Sequence, residues 1–343
     1  MRIREGSNVA AERVAVKDLK INDTVTSFFL VRNPQHRLRK TGGPFLTLLL
    51  TDHTGELPAV MWEDLEGIGG QIREGDLVKV HGVIGSYQGE MQLTIQRLRL
   101  AREGEAALED FLPATEGDTG AMLASLQETI HGFTNDPLKR LLARIFEREG
   151  FREAFVAAPA AKGLHHAYLG GLLEHTVSVV KLCKTIAVHY RGAVDMDLLL
   201  ASAILHDVGK IFELTWNRGF DYSDEGRLLG HITQGAMFVE EQIGQIPDFP
   251  PRLRMELLHN ILSHHGQYEW GSPRRPKTVE ALILHAVENL DGKVNLFLKL
   301  VKQHPDPHRG GWTVFHRSFE RPLFFGEPES PGGGPEVTHE EEG

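Results

Sequence analysis

The stretch Leu198 to Lys210 reads LLLASAILHDVGK, an apolar helical run that ends in an imidazole and a carboxylate, His206 and Asp207, with Gly209 two residues on. Neighbours on a helix stand about 100° apart, so this pair can face one point only near a helix end, where the backbone relaxes. Outward from it lie His175, His231, the pair His264-His265, and the carboxylates Glu288 and Asp291, each beside an apolar run of helical character. Polar groups at the edge of a core helix are costly to bury unless something satisfies them, and one shared cation satisfies several at once. Glu288 and Asp291, three residues apart, face the same side of one helix, so one or both can reach such a centre. Singly, each histidine reads as a packed or surface residue. As a set in an otherwise apolar helical region, they point to a hydrolytic metal site.

Apolar residues recur at spacings of three and four in Met122 to Ile130, Pro137 to Glu147, Leu169 to Val188, Leu198 to Leu205, Gly230 to Ile243, Arg252 to Leu262 and Thr278 to Leu300. Asn135 or Asp136 is a fitting cap for a helix that starts at Pro137. Residues 119–325 are therefore expected to form an all-α domain. Upstream the period is two: strands at Phe45 to Leu50 and Leu57 to Trp62 flank the turn Asp52-His53-Thr54-Gly55, and Leu77 to Ile84 and Glu90 to Leu98 are joined by a hairpin at Gly85 to Gly89. Five or so strands, interrupted near Trp62 to Ile72, predict a small all-β barrel of the OB type over residues 1–101. Residues 102–118, rich in Glu and Ala, read as a linker, and residues 326–343 as a disordered acidic tail. The fold class is multi-domain, a barrel followed by a helical domain.

The chain has 343 residues, 41% of them apolar and 24% charged, enough for two separate cores. The lone Cys183 excludes an internal disulfide and reads as a core thiol, compatible with a reducing compartment. No signal-peptide core and no apolar run near the roughly 20 residues of a membrane span is present, so a cytoplasmic protein without membrane contact is expected. The net charge of −10 is no bar to an anionic partner, because binding depends on local patches and basic residues cluster at Arg32 to Lys40. In the barrel reading that cluster is the loop between the first two strands. Arg37, Arg39 and Lys40 are then candidates for phosphate contact, or solvated charges. Phe28 or Phe29, Trp62 and Tyr87 could stack on bases; the first three read first as barrel core, and Tyr87 at the hairpin tip escapes that reading.

His175 in LLEHT, His206-Asp207 in ILHDVGK and a downstream acid resemble the HD superfamily of metal-dependent phosphohydrolases, and His231 with the SHHG pair resembles the longer binuclear pattern of its HD-GYP branch. The strings HHAYLGGLLEHT, LHDVGKIFEL, SHHGQYEWGSP and ENLDGK more closely resemble the YhaM-type 3'-to-5' exoribonucleases, which also carry an amino-terminal OB-fold; the likeness runs to about Phe325. It implies metal ligation by His175, His206 and Asp207, with His231, His264 and His265 completing a second site. Where the family usually reads Ala-Asp-Asn-Leu-Asp, this chain has Val287-Glu288-Asn289-Leu290-Asp291. Either Glu288 reaches the metal, or Asp291 takes the role, or one site is weakened; Glu288 is favoured. His165 and His166 also match, as substrate contacts or structural hydrogen bonds.

A His and carboxylate shell suits Mn, Fe, Co or Zn better than Mg, and the resemblance puts Mn first, as one or two ions. Asp207, able to bridge two ions, and Lys210, placed to meet a phosphate oxygen, are the catalytic candidates. The expected partner is single-stranded RNA or DNA, cut to nucleoside 5'-monophosphates, with direction implied by the resemblance. Two other readings stay open. One is a phosphohydrolase of a small cyclic nucleotide, although Gly266-Gln267-Tyr268 stands where Gly-Tyr-Pro would. The other is a nucleic-acid-binding protein with a silent helical domain. The aromatics of Gly310 to Phe325 are expected to seal the core rather than mark an interface. Oligomeric state is not legible.

Overall fold

The computed structural model describes residues 13–40, 42–63, 71–163, 166–216, 219–303 and 311–326. Five strands, β1 (Thr24–Leu38), β2 (Pro44–Asp52), β3 (Gly55–Met61), β4 (Leu77–Tyr87) and β5 (Glu90–Leu100), close into a barrel in the order β1-β2-β3-β5-β4. Only β3 and β5 pair in parallel, so the barrel leaves no open edge. Alternation fills its interior: Phe29, Leu46, Leu50, Leu57, Val78, Ile84 and Leu93 are fully buried.

Two local readings change. Residues 32–38 are not a loop, since β1 runs on to Leu38 past a bulge between Arg32 and Gln35. Arg37 thus sits in a strand, and only Arg39 and Lys40 belong to the turn. The hairpin between β4 and β5 is the two-residue turn Gln88-Gly89, both at positive φ, while Gly85 and Tyr87 pair within the ladder.

Nine helices follow: α1 (Thr119–His131), α2 (Asp136–Glu147), α3 (Phe151–Ala157), α4 (Gly171–His189), α5 (Met196–Leu205), the single turn α6 (Lys210–Glu213), α7 (Asp224–Ile243), α8 (Pro251–Ser263) and α9 (Val279–Gln303), counted among the described residues. A two-residue strand pair, β6 (Leu214–Thr215) and β7 (Asp221–Tyr222), lies between α6 and α7. Asp118, Asn135, Asp195 and Ser223 accept from backbone N–H groups at the starts of α1, α2, α5 and α7. The buried faces of α2, α4, α5, α7, α8 and α9 share one core, with α5 buried along its whole length after Asp197. Cys183 lies in that core, fully buried.

The segment after β5 is packed. Phe111 and Leu112 are buried between Phe28 and Leu30 on the outer face of β1 and Phe220 of the helical domain. Ala114 bridges Leu169 in parallel, with Leu169 N donating to Pro113 O at 2.8 Å and Thr115 N to Leu169 O at 2.8 Å. Phe28 is therefore covered by the second domain and Phe29 by the barrel core, so neither can stack on a base.

Residues 311–326 carry isolated bridges, Trp312 with Phe324 and His316 with Arg321. Leu323 is buried, but Trp312, Phe315 and Phe324 are 50%, 64% and 53% exposed, which overturns the expectation that these aromatics seal a core. The tail after Gly326 lies outside the described residues, as does His165.

Candidate metal centre

The end of α5 sets the site. His206 caps the helix with its dihedrals still helical, and residues 206–209 form the turn before α6, so the two side chains leave the backbone where α5 gives way to that turn. Gly209 is needed here because a Cβ would come within 1.9 Å of His231 O and 2.7 Å of Gly235 N, so this turn touches α7 backbone to backbone. Gly230, at φ 71° and ψ 156°, breaks α7 one residue before His231. That break turns the imidazole inward.

Asp207 is the hub. Its Oδ1 lies 3.3 Å from His231 Nε2 and 3.5 Å from His264 Nε2. Its Oδ2 lies 3.6 Å from His206 Nε2 and 3.8 Å from His175 Nε2, and these two nitrogens are 3.2 Å apart. His265 joins the first half, its ring centroid 4.5 Å from that of His264 and 5.1 Å from that of His231.

Behind each ring stands an acceptor for Nδ1. His206 donates to Ala203 O at 2.9 Å, His264 to Ile261 O at 2.7 Å, and His265 to Trp270 O at 2.9 Å. His231 donates to Glu213 Oε1 at 3.0 Å and His175 to Asp291 Oδ2 at 2.7 Å. Proton placement follows from those partners: with Nδ1 protonated and the ring neutral, Nε2 of His206, His231 and His264 presents a lone pair toward Asp207. Among the described residues, Asp207 Oδ1, His231 Nε2 and His264 Nε2 are buried without any hydrogen-bond partner. Lone pairs gathered without donors suit a cation and little else, and oxygen or carboxylate backing at Nδ1 is how metal-binding imidazoles are held. The residues present therefore fit a divalent metal, in two groups that share Asp207: His175 with His206, and His231 with His264 and His265.

The charge states agree at three of the rings, whereas the burial of His175 is outweighed by Asp291 and Asp207, which raise it. Burial pushes His206 and His265 down to about 4 and His264 further, so all three are neutral in neutral solution. Burial opposes ionisation of Asp207, yet Lys210 and the surrounding imidazoles hold it well below the usual carboxylate range. Burial likewise opposes the charge on Lys210, and Asp207 and Glu213 more than offset it. The Lys210 ammonium sits 3.5 Å from Glu213, inside the site rather than at the surface.

Asp291 and Glu288 separate. Asp291 stands on the Nδ1 side of His175, accepting there and, at 3.2 Å, from His166 Nε2, while its Oδ1 accepts from Ser178 Oγ. Both oxygens are thus engaged away from the Nε2 convergence. Glu288 faces the site from α9, where burial raises its carboxyl to about 7 with His175 and Asp207 as neighbours. The His166 ring is buried between Asp291 and the Tyr168 hydroxyl, 2.8 Å from Nδ1, in the manner of a structural hydrogen-bonding residue.

Sequence reasoning missed Glu213, which also accepts from His231 N at 3.0 Å. Burial works against its charge, but His231 and Lys210 hold it at about 2. It lies in the quoted string LHDVGKIFEL, yet nothing in its spacing marks it.

On the barrel, Tyr87 is 59% exposed and Trp62 41%. Phe45 stacks on Trp62 at 4.9 Å, and the Arg39 guanidinium lies 5.1 Å over the same ring while donating to Trp62 O. Arg37 and Lys40 are exposed with no ion pair among the described residues. A second groove, lined by Lys79, His81, Arg97 and Arg99 on β4 and β5, was not foreseen.

Residues 172–293 match the HD domain family, and residues 30–101 match the OB-fold nucleic acid binding domain family. The 3'-5' exoribonuclease YhaM of Geobacillus sp. (strain WCH70) is 34% identical over 315 residues, which is 89% of this chain and 94% of that protein. The second OB-fold domain of replication protein A from Methanococcus maripaludis covers 27% of this chain and 98% of its own, at 18% identity and a TM-score of 0.23. The HD domain of the L. monocytogenes phosphodiesterase PgpH covers 43% and 74%, at 16% identity and a TM-score of 0.28. These two overlaps are too slight to bear on the site. With a barrel of OB topology, a helical HD domain and a relative aligned across both, the chain belongs to the YhaM family.

Proposed function

We propose that this chain, a phosphodiester hydrolase by family, is a metal-dependent 3'-to-5' exoribonuclease that shortens single-stranded RNA, or DNA, to nucleoside 5'-monophosphates in the cytoplasm. The observation that carries the reading is the convergence of four imidazole Nε2 atoms on the two oxygens of Asp207, those of His231 and His264 being buried without a hydrogen-bond partner among the described residues. The 3'-to-5' direction follows the relative's name, and the single strand follows the OB-fold. No helix among the described residues is long and apolar enough to cross a membrane.

His175, His206, His231, His264, His265 and Asp207 would hold one or two divalent ions, with Mn ahead of Co, Fe and Zn. Such an ion, when bound, lowers the pKa of water toward neutrality and offsets charge growing on a phosphate. The chain does the rest. Asp207, anionic and shared by both groups of imidazoles, fixes their spacing, and Glu213 and Asp291 engage Nδ1 of His231 and His175 so that Nε2 faces Asp207. Lys210, charged and close to Asp207, is placed to meet a non-bridging oxygen. Glu288, with a carboxyl near 7, can carry a ligand role or move a proton. The Arg39, Trp62 and Phe45 cluster, with Arg37, Lys40 and Tyr87, supplies cations and aromatic faces for the upstream strand.

The test is incubation of Mn-loaded protein with end-labelled RNA, DNA and a cyclic dinucleotide. Laddered loss from the 3' end is expected for a single strand, and Asp207→Asn should abolish it while retaining strand binding. Turnover of the cyclic dinucleotide alone, or undiminished nuclease activity in D207N, would end the proposal.

A further inference from the structure

A cavity of about 810 Å3 opens beside the centre and shares His265 and Glu288 with it. Its volume lies in the range of pockets that take molecules of nucleotide size. Trp270, half exposed, forms one side, and the Lys293 ammonium, on an exposed and flexible side chain, lies over its ring at 5.6 Å from the centroid, where a base would displace it. Phe297 and Phe319, edge to face at 6.2 Å, add an apolar part of the lining, and the segment that follows α9 contributes Arg317 and Arg321 against the one carboxylate Glu320. A half-exposed indole under a cation, in a cavity with apolar lining that adjoins a metal cradle, matches a flat π-system that carries an anion.

We infer that this cavity is the subsite for the terminal nucleoside, with Trp270 as the platform on which its base stacks and Lys293 beside it. The inference rests on the nuclease reading and adds to it what the site grips beyond the phosphate. The geometry couples the two tasks. The backbone carbonyl of Trp270 accepts from His265 Nδ1 at 2.9 Å, so the residue that orients a candidate ligand also presents the indole. A base on that indole places its own phosphate next to His265. Because the coupling runs through the main chain, replacing the side chain leaves the acceptor for His265 in place. Stacking does not depend on which base is present, so the subsite suits an enzyme that removes every nucleotide in turn.

The test uses the full chain, with two measurements. In the first, adenosine 5'-monophosphate and ribose 5-phosphate are titrated calorimetrically into wild type and Trp270→Ala. Wild type should prefer the nucleotide by roughly tenfold to a hundredfold, the span of one base stacked on an aromatic side chain, and W270A should lose that preference while Trp270→Phe keeps most of it. In the second, RNA ending in an ordinary or an abasic 3' nucleotide is digested. The abasic end should raise KM in wild type by a similar factor, and the ratio should collapse in W270A, whose Mn content stays that of wild type. Equal affinity of wild type for the two phosphates, or an unchanged ratio in W270A, would overturn the subsite even if RNA is shortened. A Trp270-dependent nucleotide preference without shortening of RNA would instead uphold the subsite and sink the nuclease reading.

Discussion

Asp291→Asn changes one atom, and the structure says what should follow. The carboxylate accepts from His175 Nδ1 at 2.7 Å, from His166 Nε2 at 3.2 Å and from Ser178 Oγ. An asparagine has two ways to sit there. With its carbonyl toward His175 the tautomer survives and Ser178 rotates to accept, so the loss is that of a negative charge behind the imidazole. With its amide toward His175 the proton must move to Nε2, where it points at His206 Nε2, 3.2 Å away. The first arrangement corresponds to about a tenfold loss of metal affinity and the second to about a hundredfold, or roughly 1.4 to 2.8 kcal/mol. Manganese affinity, read by competition with a chelator in D291N, Glu288→Gln and D207N, places Asp291 among the groups. D291N should fall between wild type and D207N, and the latter should bind no ion measurably. Two results would refute the reasoning: an affinity within about twofold of wild type, which would make the backing bond idle, or a loss as complete as in D207N, which would make Asp291 itself a ligand.

Gly209→Ala should lower stability by about 1 to 3 kcal/mol, because a methyl group cannot lie 1.9 Å from His231 O without parting α6 from α7; an unchanged melting temperature would count against that close approach. Cys183, whose thiol burial pushes up to about 12, should resist a thiol reagent at pH 8 in the native protein and react fully in denaturant. Labelling of the folded chain within minutes would contradict its place in the core. For single-stranded RNA, Arg37→Ala and Lys40→Ala should each flatten the dependence of log affinity on log salt by about 0.7, since neither cation has an ionic partner among the described residues. Arg99→Ala should change the slope much less, because Glu105 already pairs with that guanidinium at 2.7 Å. Equal slopes in all three would move the binding face to the β4–β5 groove.

What was legible in the chain divides along a physical line. The core helices and the barrel announce themselves through periodicity, because burial on one face leaves a repeating pattern whatever the tertiary arrangement. The Nε2 cluster was legible for a related reason: imidazoles and carboxylates beside apolar runs need a partner, and a common one is the economical answer. The errors arose where local signals compete with long-range pairing. Arg32 to Lys40 reads as a loop because its basic residues fall where an OB-type barrel joins its first two strands, and Asn33 and Pro34 add turn chemistry there. In the fold they occupy the bulge of β1, with Asn33 at φ 45°, and the ladder to β2 resumes at Gln35. Gly85 looked like part of a turn but pairs with Gln92, because the ladder is decided by both strands. Glu213 and the Trp270 carbonyl could not be read at all. Their roles depend on which side-chain or backbone oxygen the α6–α7 contact and the turn after His265 bring behind an imidazole, and composition does not record that.

The joint between the domains bears on how the two would work together. A flexible linker would make the barrel a tethered grip whose benefit depends on effective concentration alone. Here residues 108–115 are built into both partners: Phe111 and Leu112 fill the space between β1 and Phe220, and the strand-like bridge of Ala114 with Leu169 continues the segment that leads into α4. Thr115 Oγ1 donates to Glu174, the residue immediately before His175. Arg32, at the β1 bulge, reaches across so closely that a Cβ on Gly219 would meet its guanidinium at 2.5 Å. The segment that carries the barrel is thus fastened to the helix that holds a candidate metal ligand, and the barrel itself to the loop at Gly219. A strand gripped on the barrel would reach the centre along a path set by packing, so the number of nucleotides between grip and cut is a property of the fold and not of a tether.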